Sequence, residues 1–359
     1  MSIQLQCEYL MRKLKDTRSV CEQCYRHVPA VRFEKDNQIW LSKTCPEHGY
    51  VEHLVEPDAE FYLNYNYPRN ALSSYFIETT NKCNLACPHC YQEPDNKSID
   101  PAILLILEKI KSWPDDGKAL ALVGAEPTTR KDLADIVKQM QSLTENTRWI
   151  MVVTNGINLG KRSYAEKFVG IEGLTWTIGL NHPDYNGGVI RKKQQVGIDN
   201  CIELGLTIKN FTYTLGNMNQ LDDVLEEIQE WHRKGVCSDA RIQLGVEIGR
   251  TPDEDEPELY LSELVKSAEI VCNEKGWSWE VDKKNGNRTH YLVRINGITH
   301  RFIKWVDVKT IDFEEIFSES WATIVPGKPK SPLLHQVILR DRAINERKPL
   351  FDTLPEKYR

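Results

Sequence analysis

The middle of the chain alternates between short apolar runs and longer segments in which apolar residues recur every three or four positions. The short runs favour buried strands, and the longer segments favour amphipathic helices. Strands that alternate with helices form a parallel sheet with right-handed crossovers. Six strand–helix units predict an α/β fold with a partial (β/α)6 barrel, because a full barrel needs eight. The predicted strands are 74–80, 119–123, 148–153, 174–178, 206–215 and 240–244, and the predicted helices are 101–113, 131–143, 161–169, 191–204, 221–234 and 258–274.

Both ends of the chain show a period of two, which is typical of strands. Near the N-terminus, residues 28–41 favour two strands around a turn at Asp36-Asn37. Near the C-terminus, alternating segments and the turn dipeptide Asn296-Gly297 favour a β-rich unit, which a short helix at 333–340 follows. We expect three domains, namely a zinc-ribbon-like module at 1–67, the barrel at 68–275 and a cap on the open side of the barrel at 276–359.

Composition narrows the class of protein. The chain has 359 residues and an ordinary apolar share of 40%, and no run approaches the roughly 18 apolar residues of a membrane helix. Its first residues lack the charged start and apolar core of a signal peptide. The net charge of -6 argues against a protein that mainly coats nucleic acid, although a local basic groove stays open. Ten cysteines without a secretion signal indicate metal ligands and free thiols, so we expect a reducing, cytoplasmic location.

Four candidate metal ligands lie in the first module, in the pattern C-x2-C-x20-C-x2-H. Two ligand pairs joined by a hairpin are the usual plan of a zinc ribbon. A metal would supply much of the folding energy of so small a module. Iron in place of zinc, unligated thiols, and Cys7 as an alternative fourth ligand stay open. The four candidates are Cys21, Cys24, Cys45 and His48.

A second group of cysteines directly follows the first predicted barrel strand and comprises Cys83, Cys87 and Cys90. Three thiolates on one loop can hold three corners of a cubic iron–sulfur cluster and leave one iron without a protein ligand. An open metal position is where chemistry takes place. The alternatives are a zinc knuckle completed by His89 or Asn84, and scattered buried thiols. The three cysteines are therefore the catalytic and metal-binding candidates.

Polar or glycine-bearing segments follow the first four predicted strands. The cysteine loop follows the first strand, and 124–128, 154–156 and 181–184 follow the next three. In parallel barrels the active site lies at the carboxyl ends of the strands. All four segments are therefore expected to converge on one rim, as a single cofactor site requires.

The spacing C-x3-C-x-aromatic-C, with His89 at the aromatic position, resembles the signature of the radical S-adenosylmethionine (SAM) superfamily. The resemblance spans residues 75–249. It implies a [4Fe-4S] cluster whose unique iron is chelated by SAM. It also implies that reductive cleavage of SAM gives methionine and a 5′-deoxyadenosyl radical, with a reductase such as flavodoxin or ferredoxin as the electron donor.

The same resemblance implies that the strand ends bind SAM. The segment at 124–127 is similar to the Gly-Gly-Glu-Pro of the superfamily, and its edge carbonyls or Glu126 would accept hydrogen bonds from the SAM ammonium group. Asn181 is the nearest candidate for a ribose contact on the fourth strand. Arg191 either pairs with a carboxylate or lies at a solvated helix start. The implied SAM-binding set is His89, Gly124, Ala125, Glu126, Pro127, Thr154, Asn155, Asn181 and Arg191.

The N-terminal module carries a second resemblance. Its segments 19–24, 28–31 and 43–49 are similar to a subgroup of radical SAM proteins that includes enzymes of archaeal pterin methylation and tetraether lipid formation. This similarity concerns architecture and implies no substrate, because the module lies outside the radical chemistry.

We therefore expect a radical SAM enzyme that abstracts hydrogen from a small-molecule or peptide substrate. Methylation, C–C bond formation, rearrangement and peptide modification are all open as outcomes. The competing class is a non-catalytic metal-binding scaffold for a protein or nucleic-acid partner. The polar face of the predicted cap suits an anionic or amide-bearing substrate, and a solvated sheet face is the alternative. That face comprises His290, Arg294, His300, Arg301 and Lys304.

Overall fold

The computed structural model describes residues 11–64, 74–87, 90, 94–143, 145, 149–180, 188–244, 259–282, 290–304, 308–312 and 321–323. The predictions for Cys7, His89, Asn181 and the helix at 333–340 lie outside these residues.

The N-terminal sheet is an antiparallel meander in the order β1-β2-β3-β4. Its strands are β1 (Arg12–Val20), β2 (His27–Lys35), β3 (Gln38–Cys45) and β4 (Gly49–Glu56), and α1 (Ala59–Asn64) follows them. The predicted turn joins β2 to β3, where Asp36 and Asn37 have φ values of 54° and 59° that short polar side chains tolerate. The period-two pattern did not predict β1 and β4, because these edge strands bury few apolar side chains.

A second sheet holds the remaining described strands, and helices separate the first six of them along the chain. Its strands are β5 (Ser74–Glu78), β6 (Ala119–Val123), β7 (Ile150–Thr154), β8 (Leu174–Leu180), β9 (Ile208–Leu215), β10 (Asp239–Leu244), β11 (Trp279–Val281), β12 (His290–Ile295), β13 (Ile298–Ile303) and β14 (Trp321–Thr323). The helices are α2 (Ile103–Lys111), α3 (Leu133–Gln141), α4 (Arg162–Ala165), α5 (Val189–Leu204), α6 (Leu221–Arg233) and α7 (Leu261–Glu274). None of the helices in the described part of the chain is long and apolar enough to cross a membrane.

The strand order of this sheet is β11-β12-β13-β10-β9-β8-β7-β6-β5-β14. Strands β5 to β10 are parallel neighbours in sequence order, which confirms the predicted partial barrel. Two later strands extend it in parallel, because β13 pairs with β10 and β14 pairs with β5. The C-terminal strands β11 to β13 therefore continue the barrel sheet through the hairpin that joins β12 and β13.

The two faces of the barrel sheet differ in chemistry. One face packs against the helices and forms the main core, where the Trp176 ring contacts Phe168 and the Phe211 ring contacts Trp231. Alternation along the strands sends the intervening side chains to the opposite face. That face is also buried but polar, as Thr177 and its neighbour Asn210 on the next strand show. A buried polar face inside a curved sheet is a place where a ligand can be bound.

Buried charged groups join the N-terminal sheet to the barrel region. Asp312 is fully buried. It accepts a hydrogen bond of 2.6 Å from Thr17 Oγ1 and forms an ion pair of 2.6 Å with Lys15 Nζ. Glu56, at the end of β4, is buried against Ser262 in α7, whose hydroxyl donates to it. Because buried charges need partners, these contacts fix the position of the small sheet.

Candidate functional site: a metal centre and a cofactor rim

The four predicted ligands of the N-terminal sheet come together, with their ligand atoms all within 4.8 Å of one another. The sulfurs of Cys24 and Cys45 are 3.7 Å apart. Nδ1 of His48 lies 3.5 Å from Cys21 Sγ and 3.4 Å from Cys45 Sγ. A tetrahedral zinc ion with ordinary bond lengths has edges of about 3.8 Å between sulfurs and about 3.5 Å between sulfur and nitrogen. The donor set and its spacing therefore fit zinc.

Two tight turns create this arrangement. After β1, the Tyr25 N–H donates to the Cys21 carbonyl at 2.8 Å, and Tyr25 takes a φ of 57°. After β3, Gly49 has a φ of 80°, in the left-handed region that glycine adopts without strain. Each turn reverses the chain beside a ligand pair, so the register of the four-stranded sheet brings the two pairs together.

The Cys45 thiol is biased toward the thiolate form that binds metals. Burial raises the pKa of Cys45, but the N–H groups of Glu47 and His48 and the His48 ring outweigh this effect and lower that pKa to about 6. Backbone donors at a turn therefore help to prepare this ligand.

The second cysteine group lies directly after β5. The Cys83 N–H donates to Asn96 Oδ1 at 3.0 Å, and Cys83 Sγ accepts from the Leu85 N–H at 3.3 Å. Cys90 N–H donates to the Cys87 carbonyl at 3.3 Å. All three cysteine side chains are partly exposed. The loop thus presents three sulfurs from a short segment that its own backbone and Asn96 hold in place.

Glu126, which follows β6, is buried and holds two strand ends together. Its Oε1 accepts from the Thr128 N–H at 3.0 Å, from Thr128 Oγ1 at 2.5 Å and from Thr154 Oγ1 at 2.6 Å. Its Oε2 accepts from the Asn155 N–H at 2.7 Å. Burial raises the pKa of Glu126, and these donors oppose that shift. Donors within the chain contact both oxygens, so a SAM group that reached this carboxylate would share an oxygen with them.

Asn155, which follows β7, links that strand end to the cysteine loop. Its Nδ2 donates to Asn84 Oδ1 at 2.7 Å. Its carbonyl accepts from Nε2 of Gln194 at 3.0 Å, and the same nitrogen donates to the Gly179 carbonyl at 2.7 Å. Sequence reasoning missed Gln194, although a polar residue on the otherwise apolar inner side of α5 was a usable signal. Three strand ends and the cysteine loop thus form one hydrogen-bonded rim.

Two glycines allow the close approach of backbone segments at this rim. A Cβ at Gly124, whose φ is 133°, would lie 2.5 Å from the Thr80 carbonyl oxygen. A Cβ at Gly197 would lie 2.1 Å from the Gly156 carbonyl oxygen. Both distances are shorter than van der Waals contact, so only glycine fits these positions. The predicted Gly124 is therefore needed for packing between the loops after β5 and β6.

The structure decides between the two alternatives for Arg191. This residue lies near the start of α5 and is largely buried, and its guanidinium forms an ion pair with Glu227 of α6. Burial lowers the pKa of Arg191. The prediction of a solvated helix start is wrong, because the Arg191 side chain is largely buried. The prediction that Arg191 pairs with a carboxylate is confirmed, with Glu227 as the partner, and a contact of Arg191 with SAM stays a prediction.

The predicted polar face of the cap is only partly a polar surface. His300 is fully buried beside Phe302, and burial lowers its pKa to about 4, so it is a neutral core residue. Lys304 lies over the Tyr260 ring at 4.0 Å. Arg294 is exposed and Arg301 is partly buried, whereas the side chain of His290 lies outside the described residues. The prediction that His300 belongs to that polar face is therefore wrong.

The three cysteines of the second group offer three thiols from one loop, which suits three corners of a cubic iron–sulfur cluster. Within the described ranges, the N-terminal tetrad is the only group of Cys, His, Asp or Glu side chains close enough to hold one metal ion.

Comparison with known families supports both sites. The model of the HMPTM N-terminal zinc ribbon domain matches residues 13–57, which contain the zinc-binding tetrad. The model of the radical SAM superfamily matches residues 77–228, which begin in β5 and include the cysteine loop and the rim.

Curated relatives match over part of their length. A 7,8-dihydro-6-hydroxymethylpterin dimethyltransferase of Methanocaldococcus jannaschii is 26% identical over 230 residues, which are 53% of this chain and 45% of that protein. A probable GTP 3',8-cyclase of Archaeoglobus fulgidus is 31% identical over 167 residues, which are 44% of this chain and 55% of that protein. The chain thus spans about half the length of these relatives.

Among solved structures, Streptococcus suis SuiB bound to S-adenosylmethionine matches with a TM-score of 0.46 and 15% identity, over 69% of this chain and 53% of that chain. The chain contains a radical SAM domain at residues 77–228, of the superfamily that uses a [4Fe-4S] cluster and SAM, and an N-terminal zinc ribbon domain at residues 13–57.

Proposed function

We propose that the protein is a radical SAM enzyme in which Cys83, Cys87 and Cys90 hold the cluster and the adjoining strand ends bind SAM. The observation that carries this proposal is the hydrogen-bonded rim, in which Asn155 contacts both the cysteine loop and Glu126. When bound, the cluster and SAM supply one electron and a 5′-deoxyadenosyl radical that takes a hydrogen atom from the substrate.

Glu126 acts in this proposal as a positioning residue. Its four accepted hydrogen bonds fix the backbone between Gly124 and Thr128 relative to the end of β7. SAM contacts then come from backbone groups of the 124–127 segment and from the Asn155 side chain. Such preorganisation matters because a misplaced cofactor reacts slowly even when it is bound.

The zinc ribbon has a structural role in this proposal. The proposal also divides the chain into three domains, at 1–67, 68–275 and 276–359. We expect a flavodoxin or ferredoxin as the electron donor, a small-molecule or peptide substrate, and a reducing, cytoplasmic environment for the cluster. The names of the two relatives make a dihydropterin and GTP the first substrates to test.

The test is the release of 5′-deoxyadenosine by anaerobically reconstituted protein with SAM and dithionite, measured by chromatography. We expect release from the wild type and none from Cys83→Ala, Cys87→Ala or Cys90→Ala, because two thiolates cannot hold the cube with one iron left for SAM. Cys237→Ala is the matched control, since Cys237 is a buried thiol outside the loop and should leave release unchanged.

Two results would contradict the proposal. One is equal release from the wild type and from a triple variant of the loop cysteines. The other is a reconstituted wild type that binds SAM and releases no 5′-deoxyadenosine with any reductant. Either result would favour a metal-binding scaffold.

A further inference from the structure

Two arginines lie side by side on the polar face of the barrel sheet. Arg241 of β10 pairs in register with Arg301 of β13 on one side and with Thr212 of β9 on the other. Residues paired across neighbouring strands project from the same face of a sheet. Ala240 and Ile242 belong to the apolar core on the helix side, so alternation places Arg241 on the opposite face.

The described carboxylates balance the charge of this pair only in part, through Asp239. Neither Arg241 nor Arg301 forms an ion pair within the described residues, and Arg241 Nε is buried without a hydrogen-bond partner there. The nearest acidic residue on the strand is Asp239, which pairs with Lys209 at 3.2 Å. Burial, and then the neighbouring Arg301, lower the pKa of Arg241 to about 10, while Asp239 opposes this shift. Like charges opposite each other in a sheet are destabilising, so an anion between the two arginines would be stabilising.

The pair lies at the same level of the sheet as the cofactor rim. Thr212, the neighbour of Arg241, pairs in turn with Gly179 of β8. Gln194 joins the Gly179 carbonyl to that of Asn155 in the rim. Neighbouring strands are about 4.8 Å apart, so Arg241 is about 10 Å from Gly179 along this row. An arginine side chain and a small substrate can span that distance.

The remaining side chains of this face are polar and suit a hydrophilic ligand. Gln243 donates to Thr214 at 2.7 Å, and both residues follow the arginine row by two positions on their strands. Thr177, on the other side of the row, has a buried hydroxyl without a described hydrogen-bond partner. An unpartnered hydroxyl and an unpartnered guanidinium nitrogen on one buried face mark unfilled hydrogen-bonding capacity.

We propose that Arg241 and Arg301 bind an oxyanion group of the substrate, a carboxylate or a phosphate, and hold the rest of that substrate toward the SAM-binding rim. The planar guanidinium forks match the two or three oxygens of such groups. The inference rests on the proposed function only in taking the bound anion to be the substrate, since anion binding itself needs no radical chemistry.

The test measures protection by anions in reconstituted wild-type protein. Tripolyphosphate, GTP and citrate are each added during modification of arginine with phenylglyoxal, and the modified residues are identified by mass spectrometry. We expect at least one anion to slow modification of both Arg241 and Arg301, with no protection of the exposed Arg233 of α6. Protection by citrate alone indicates a carboxylate, and protection by the phosphate compounds indicates a phosphate.

Arginine variants provide a second test of anion binding at this pair. The protecting anion should bind at least tenfold more weakly to Arg241→Gln and to Arg301→Gln in isothermal titration, whereas Arg233→Gln should bind it as the wild type does. Arg301→Lys keeps the charge and loses the fork, so its affinity should fall between those of the wild type and Arg301→Gln. Equal affinity of all variants, or no protection by any of the three anions, overturns the proposal.

The two proposals fail separately. SAM binding and 5′-deoxyadenosine release without added substrate should survive in Arg301→Gln, because three strands lie between β13, which carries Arg301, and β7, which Asn155 of the rim follows. Absence of release from the wild type, with intact anion binding, contradicts the proposed function alone. Intact release from the wild type, with unchanged anion affinity in the arginine variants, contradicts the arginine pair alone.

Discussion

Glu56 is a buried carboxyl group whose ionisation should control the stability of the contact between the zinc ribbon and the barrel. It lies at the end of β4, is 4% exposed, and accepts hydrogen bonds from the hydroxyl and N–H of Ser262 in α7. Burial raises the pKa of Glu56 from 4.5 to about 7, although Ser262, Lys304 and the Asp58 N–H oppose this shift. Lys266 of α7 is also near Glu56, but it forms an ion pair with Asp58.

The direction of the pH dependence follows from this pKa. Between pH 4.5 and 7 the folded protein binds more protons at Glu56 than the unfolded chain does, so stability falls as pH rises through this window. Integrating the two titrations gives a loss of about 2.5 kcal/mol in the free energy of unfolding between about pH 5 and pH 8. A loss of that size is a sizeable share of the usual stability of a domain.

The assay is urea unfolding of anaerobic holoprotein at several pH values, with wild type and Glu56→Gln compared at each pH. Glutamine cannot ionise, so wild type should lose about 2.5 kcal/mol relative to this variant as pH rises from about 5 to 8. Zinc loss and the other titrating groups affect both proteins and cancel in the difference. Glu60→Gln, at an exposed position of α1, is the matched control and should follow wild type. Parallel curves for wild type and Glu56→Gln would refute the reasoning.

Three further predictions concern the metal centre and the rim. Cys24→Ala and Cys45→Ala should each lose one zinc ion per chain and melt at a lower temperature, and unchanged metal content would contradict the ligand assignment. Glu126→Gln should keep its iron but bind SAM more weakly in calorimetry, because an amide nitrogen cannot accept the donors now facing the carboxylate, at a cost of about 1–3 kcal/mol. Gln194→Leu should likewise retain iron and weaken SAM binding, since the carbonyls of Asn155 and Gly179 lose their common donor, and unaltered SAM affinity would show that this link is dispensable.

The features that the sequence predicts well are local in the chain. The two ligands within each pair of the zinc ribbon are separated by only two residues, so the geometry of one turn decides whether they can bind metal together. The cysteine loop is equally local, and its position after a strand follows from the β-prone run at 74–80, whose apolar centre is Tyr75, Phe76 and Ile77. Alternation of strands with helices then determines the parallel sheet, because crossovers between parallel strands have one preferred hand.

The features that the sequence does not predict depend on which distant residues meet. Arg191 looks like a solvated helix start until the packing of α5 against α6 brings Glu227 to it. His300 looks like part of a polar face, but pairing of β13 with β10 places it beside Ala240 on the core side. In both residues a polar side chain is buried, and periodicity cannot tell which polar residues the tertiary structure covers.

Contacts between residues that are far apart in the sequence also connect the zinc ribbon to the part of the barrel sheet that carries the arginine pair. Lys43 of β3 lies two residues before the zinc ligand Cys45 and is buried, and its Nζ donates to the carbonyls of Val308 and Lys309 at 3.2 and 3.1 Å. These two residues follow β13, the strand of Arg301, by only a few positions. Zinc bound at Cys45 would fix the end of β3 and thereby the position of Lys43, which holds residues 308 and 309. In our proposal the zinc ribbon thus supports the geometry of the substrate site.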